Sequence, residues 1–148
     1  MLRLTDDMKT AINNALADGA PILMAAVQAD GQPWIAFRGS AHVHSDDQMG
    51  IWLRNIEGHT ARGLALNNKV ALFYRRAGGL SFQAQGRARL ENEPALRQRI
   101  YDASPEPERN ADKEMKGTAM IVDLDRVIQR GRVVLARDES EIPAPTPA

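Results

Sequence analysis

Arg38 and Ser40 stand two residues apart in a segment that alternates, with Ile35, Phe37, Ala41 and Val43 on one side and Arg38, Ser40, His42 and His44 on the other. On a single strand the guanidinium and the hydroxyl share a face about 7 Å apart. They can then hold a phosphate and a neighbouring oxygen of one ligand. The same alternation also describes the solvent-facing exterior of a barrel. His59, Thr60 and Arg62 open a short stretch of helical spacing. Orphan amide protons and the helix dipole make such a start a natural anion position. Thr60 can cap that helix and meet an anion at once, and an ordinary cap beside a surface histidine reads as well. Trp52, Leu53, Arg54 and Asn55 end a further strand. There Trp52 is either a core or dimer contact or part of a site, and Arg54 contributes a cation.

Other groups carry less. His42 and His44 share one strand face, but no third ligand completes a site, although Asp46 and Asp47 follow in the turn. Polar surface is expected there, and no metal. Arg75-Arg76 and the Arg87/Arg89 pair either reach a neighbour's ligand or solvate strand ends. No general acid, general base or nucleophile can be named.

The elements that must position these groups follow from periodicity and turn chemistry. Thr5 can cap a first helix, with Asp6 and Asp7 at its positive end and Met8, Ile12, Ala15 and Leu16 at helical spacing up to Asp18-Gly19. A strand from Ile22 to Val27 turns at Asp30-Gly31 into the alternating strand, which runs to His44. Ser45-Asp46-Asp47 turns into a third strand, Met49 to Arg54. A short helix over Thr60–Leu66 precedes strands at Val70–Arg75 and Leu80–Leu90. Pro94 suits the first turn of a third helix with Leu96 and Ile100 on its buried side. Ser104–Asn110, with two prolines, is expected as a loop, Thr118–Leu124 as a sixth strand and Val133–Ala136 as a seventh. Short antiparallel strands with few helices between them describe a small barrel with helices across its openings. A single domain over 1–137 is expected, then a mobile Pro-rich tail over 138–148.

Composition narrows the class. The chain of 148 residues is 43 % hydrophobic and has no cysteine, which excludes disulfides, thiolate catalysis and cysteine metal sites. No apolar run approaches the ~20 residues needed to cross a bilayer. The start, Met-Leu-Arg-Leu-Thr-Asp-Asp, lacks signal-peptide features, so a cytoplasmic, membrane-free protein is expected. Net charge is zero but uneven. Residues 1–37 hold two basic and four acidic side chains, 38–90 eight and three, and 91–148 nine and twelve. Seven of the eight cations in the middle are arginine, the residue that forks onto phosphate, although a GC-rich genome would favour arginine as well. The acidic flanks oppose a nucleic-acid backbone, and no nucleic-acid partner is expected.

Asp30-Gly-Gln-Pro, Phe37-Arg-Gly-Ser, Gly50-Ile-Trp-Leu-Arg-Asn, then Thr60, Arg62 and Leu64, then Asn67-Asn-Lys-Val-Ala-Leu-Phe-Tyr follow in an order and spacing that resembles the FMN-binding half of the pyridoxamine 5'-phosphate oxidase-like split barrels. The similarity extends more loosely through Gln83–Leu90 and Met120–Leu124. It implies a mainly β (α+β) fold: a six- to seven-stranded antiparallel split β-barrel with short flanking helices, paired as a homodimer with FMN at the subunit interface. Phosphate would be held by the second strand and the loop before the short helix, and the flavin would lie along the third strand under residues of the partner.

Carried onto this sequence, the resemblance implies cofactor contacts at Arg38, Ser40, Trp52, Leu53, Arg54, Asn55, His59, Thr60 and Arg62, with Ser81 and Gln83 reaching the partner's cofactor. Arg54 would place positive charge near a reduced flavin. The activity implied is that of a flavin-dependent oxidoreductase on a small molecule. A flavin-binding or storage module without turnover, and a deazaflavin or haem protein on the same barrel with His42, His44 or His59 as haem ligand, are the alternatives. Two departures stand out: His59-Thr60 replaces the common Arg-Lys of the phosphate loop, and Asn67-Asn68 the common Asn-Pro. The first weakens FMN binding or shifts the ligand to a relative of FMN. The sequence also ends soon after Ala136, without the arginine and histidine segment that grips pyridoxal phosphate in the true oxidases, so that activity is not expected.

Overall fold

The computed structural model describes residues 1–138; from residue 139 onward the expected Pro-rich tail lies outside the described residues. Thr5 caps α1 (Asp6–Asn14), its hydroxyl accepting from the Met8 amide at 3.2 Å, with Asp6 and Asp7 in the first turn. Eight strands follow: β1 (Ile22–Val27), β2 (Pro33–Arg38), β3 (His42–Ser45), β4 (Gln48–Leu53), β5 (Lys69–Arg75), β6 (Ser81–Glu91), β7 (Thr118–Gln129) and β8 (Arg132–Ala136). α2 (His59–Leu64) links β4 to β5, and α3 (Pro94–Ala103) and α4 (Glu106–Asn110) link β6 to β7.

The strands form one antiparallel sheet in the order β2-β1-β5-β6-β7-β4-β3. β7 is long enough to serve two neighbours along one edge: Thr118–Asp123 pairs with β4, and Arg126–Gln129 pairs with β8. The sheet is not closed. Its two edge strands, β2 and β3, are joined by the chain through Gly39–Ala41 rather than by a hydrogen-bonded ladder. Its concave side carries the core: Ile22 and Met24 of β1, Leu72 and Tyr74 of β5, Phe82 and Ala84 of β6, with Met8 and Ile12 of α1 laid across them. Tyr74 and Phe82 stack at 5.4 Å.

This is the mainly β split-barrel architecture expected, with three local corrections. The expected single strand through Arg38 and His44 breaks at Gly39–Ala41, so the described residues form eight strands rather than six or seven. The inward side of β2 is the opposite of the expected one: Ile35 is 62 % and Phe37 68 % exposed. The register decides this, because Arg38 and Ala36 pair with Ile22 and Met24, the core residues of β1, and directly paired residues share a face. The Pro-rich stretch after Ser104 is not all loop. Pro105 and Pro107 sit at the start of α4, where missing amide protons are harmless.

α2 presses on β1 through Gly63, where an added methyl would overlap the Val27 carbonyl oxygen. Gly63→Ala should therefore destabilise the fold by about 1–3 kcal/mol through overpacking, against a helix-propensity gain of about 1 kcal/mol. Urea unfolding measures the balance, and an unchanged midpoint would mean that α2 can lift away from β1.

Candidate functional site

Arg38 ends β2 and points inward across the gap towards α2, where its Nη2 donates to Thr60 Oγ1 at 2.6 Å. Its buried Nε has no partner among the described residues. Burial above all, and then the like charge of Arg54, holds this guanidinium below the usual arginine range. An anion placed here would accept the Nε proton and offset both cations. Thr60 is free to receive Arg38 because it does not cap α2 as expected. The cap position is Gly58, with no side-chain bond, and α2 begins at His59 rather than Thr60. The His59 ring lies 4.9 Å from that of Trp34.

Ser40 does not share a strand face with Arg38. It sits in the break and turns its hydroxyl onto the backbone of Trp52, accepting from the amide at 2.9 Å and donating to the carbonyl at 3.1 Å. The Trp52 side chain is buried in a second apolar cluster with Ile100 and Ile121. Its indole donates to Asp112 Oδ2 at 2.8 Å, meets Tyr101 edge-on at 5.1 Å and lies under the Arg97 guanidinium at 4.9 Å. Arg97 in turn donates to the carbonyls of Met115 and Gly117. Burial of Asp112 favours its protonated form, but donation from the Gly117 amide, the Trp52 indole and the Lys116 amide, together with Arg97, holds its carboxyl below the usual carboxylate range.

Two adjoining cavities result. One, of 160 Å³, has Trp34, Arg38, Leu53, Asn55, His59 and Thr60 on its walls. The other, of 220 Å³, has Arg38, Ser40, Trp52, Arg54, Asn55 and Glu108. Arg38 and Asn55 belong to both. Eight of the eleven residues singled out in the sequence thus surround one groove. Trp34 and Glu108 were not anticipated. Trp34 shares parity with Arg38 and was within reach of a pattern argument; Glu108, in a Pro-rich connection, gave no signal.

Arg62 is exposed on α2 and lines neither cavity. Ser81 lines a separate cleft with Gln129, Arg130 and Arg132, and Gln83 accepts from Gln85 at 2.7 Å, so the groove of the same chain does not include them. Arg75 is exposed and Arg76 lies 3.7 Å from Asp18. Arg87 clasps Asp125 at 3.0–3.2 Å, and Arg89 reaches Asp123 at 3.0 Å and also pairs with Glu91. Both are held within their own sheet.

His42 is interior, not polar surface. Its Nδ1 faces the Ser40 carbonyl at 2.8 Å, and since a carbonyl only accepts, Nδ1 carries the proton. Nε2 is buried beside Gly50 and has no partner among the described residues. Burial lowers the His42 pKa, the Ser40 bond opposes this, and the charge of His44 adds to the lowering. His44 is half-buried, and its own pKa is lowered by desolvation, then by Arg99 and Arg89, against Asp123. Among the described residues no group of three or more His, Asp or Glu is placed to hold a metal ion.

The sign of the pH effect follows. With its folded pKa depressed, His42 stays neutral while the unfolded chain takes up a proton, so stability is full above about pH 6.5 and falls as pH drops through that value towards the folded pKa. The slope from this one group is at most about 1.4 kcal/mol per pH unit. Urea unfolding at a series of pH values should show it, and His42→Leu should reduce the slope to the part that His44 contributes; an equal slope in both proteins would remove His42 as a source.

Comparison with known proteins places the fold. The sequence model of the pyridoxamine 5'-phosphate oxidase family matches residues 8–128. Among solved structures, HupZ of Group A Streptococcus superposes with a TM-score of 0.68 at 22 % identity, covering 90 % of this chain and 99 % of that one. A Clostridium acetobutylicum protein related to general stress protein 26 of B. subtilis, of the pyridoxinephosphate oxidase family, gives 0.61 at 12 % identity, covering 89 % and 97 %. An FMN-binding protein of Syntrophomonas wolfei gives 0.57 at 11 % identity, covering 82 % and 85 %. None of the curated proteins compared with the chain matches it.

Proposed function

The chain belongs to the pyridoxamine 5'-phosphate oxidase family, and from that premise we propose that it is an FMN-binding oxidoreductase, acting on a small molecule as a homodimer in the cytoplasm. The observation that carries the reading is the Arg38 guanidinium, half-buried, oriented by Thr60 and left, among the described residues, with a buried unpartnered Nε beside a second cation. That arrangement suits a phosphate. It also gives His59-Thr60 a physical sense. The loop lacks the two cations common in the family, and Thr60 instead holds a cation delivered from β2.

When bound, FMN supplies two-electron transfer at its ring. The chain's own residues bind and orient. Arg38 takes the phosphate, Thr60 fixes the angle of Arg38, and Arg54 adds positive charge to the adjoining cavity. The backbone of Trp52 is held in place by Ser40 on one side and by β7 on the other. The cations of β6 are paired within the sheet, which favours a small anionic ligand over a nucleic-acid backbone. No helix among the described residues is long and apolar enough to cross a membrane.

The dimer is supported by the convex face. Phe37, Leu23 and Phe73 form one cross-strand row that Gln83 continues, and Ile35, Ala25 and Ala71 form the next, continued by Gln85. Ile35, Phe37 and Phe73 are exposed, and a cavity of 340 Å³ lined by Ala25, Val27, Pro33 and Ala71 opens beside them. A contiguous apolar patch of this kind calls for a covering surface. A second copy would bring Gln83 and Ser81 to the interface.

The purified protein should retain about one FMN per chain, read from its visible spectrum after excess flavin is removed. Arg38→Ala should weaken FMN by about 10–100-fold, the loss of a charge-assisted bond; an unchanged affinity would remove Arg38 from the site. Phe73→Glu, on the convex face, should give a monomer by sedimentation and lose flavin with it. A monomer that kept its flavin would separate the site from the interface.

A further inference from the structure

We propose that Glu108 makes the Arg54 side of the groove selective, admitting a hydrogen-bond-donating neutral or cationic group of the second reactant and rejecting a second anion. The inference rests on the reading of Arg38 as the phosphate holder and extends it to the adjoining cavity. α4 carries Glu108 to the break between β2 and β3. There its carboxylate lies directly on Gly39, so that a methyl added to Gly39 would overlap Oε1 and Cδ. It therefore forms part of the floor of the 220 Å³ cavity, with Arg38 and Arg54 on the surrounding walls. Its position is set from outside the cavity: Pro105 starts α4, and the Glu108 amide donates to the Pro105 carbonyl at 3.0 Å. Among the described residues Glu108 forms no ion pair with either arginine.

A carboxylate only accepts hydrogen bonds, and a guanidinium only donates them. The cavity thus presents an acceptor and a donor side by side. With a phosphate on Arg38, a second anion in the 220 Å³ cavity would meet the Glu108 charge at close range, which offsets the attraction of Arg54 on the same walls. A like charge a few ångströms away in a partly wet site lowers affinity by about tenfold. An amine or hydroxyl placed there gains a partner instead. Glu108 is thereby a specificity-determining residue for the molecule that shares the groove with the phosphate.

The test uses cofactor-free protein and three probes in isothermal titration calorimetry: inorganic phosphate, pyrophosphate and phosphoethanolamine. Wild type should bind phosphoethanolamine more tightly than phosphate, and pyrophosphate no more tightly than phosphate. In Glu108→Gln pyrophosphate should gain about tenfold relative to phosphate, and the preference for phosphoethanolamine should disappear. Gly39→Ala, which pushes the carboxylate off its floor without removing its charge, should shift the ratios in the same direction. Unchanged ratios in Glu108→Gln, with FMN and phosphate still bound, would overturn the role of Glu108 alone. Failure of wild type to bind either FMN or phosphate would overturn the reading of Arg38, and the role of Glu108 with it.

Discussion

Where β2 passes into β3 the chain leaves the sheet, and β4 loses its neighbour just before its end. The ladder between β3 and β4 covers Gly50, Met49 and Gln48, so the outer amide and carbonyl of Trp52 have no strand to meet. Both are buried, and an unpaired buried peptide group costs about 1–3 kcal/mol. The Ser40 hydroxyl answers both, accepting from one and donating to the other. Continuing the register of His42 with Gly50, the residue opposite Trp52 is Ser40 itself, and its side chain stands in for the backbone pair that one strand residue would make. The sheet can then end in a gap instead of a ladder, and the groove occupies that gap. Arg38 stands before the break, Trp52 behind it and α2 across it, and Thr60 of α2 bonds Arg38 over the gap.

Much of the architecture was legible because it rests on local rules. The cap at Thr5, the turn at Asp30-Gly31 and the alternation of β6 each follow from side-chain chemistry within a few residues. The break at Ser40 was hidden for the opposite reason. Polar residues at 38, 40, 42 and 44 keep perfect parity through it, and only the hydrogen bonds of a strand distant in sequence reveal that the alternation is interrupted. The inverted face of β2 was hidden likewise. Ile35 and Phe37 look like core, and nothing within the strand says that Ala36 and Arg38 share a side with Ile22 and Met24. The groove residues on β4 and α2 were reached through an ordered set of short motifs, whereas Glu108 depends on how α4 docks and has no local signature.

The uneven charge of the sequence also resolves in three dimensions. The basic middle and the acidic last third are brought together when β6 pairs with β7, so that Arg87 meets Asp125 and Arg89 meets Asp123. Asp125 lies near a further cation, Arg137, which also pairs with Asp47 at 2.7 Å. Arginine counts along the chain therefore overstate the charge that a ligand meets. What distinguishes Arg38 from these is its partner, a hydroxyl in place of a carboxylate, which orients the guanidinium without neutralising it.

The two tryptophans sit differently: Trp34 belongs to the groove, and Trp52 to both the groove and the core. Trp34 is half-buried beside His59 on a cavity wall, while Trp52 has its indole enclosed by Asp112, Tyr101 and Arg97. Their emissions consequently carry separate information. Trp34 therefore reports on the 160 Å³ cavity alone, whereas Trp52, which also borders the 220 Å³ cavity, reports at once on what enters there and on whether α3 and the segment around Asp112 remain seated on β4.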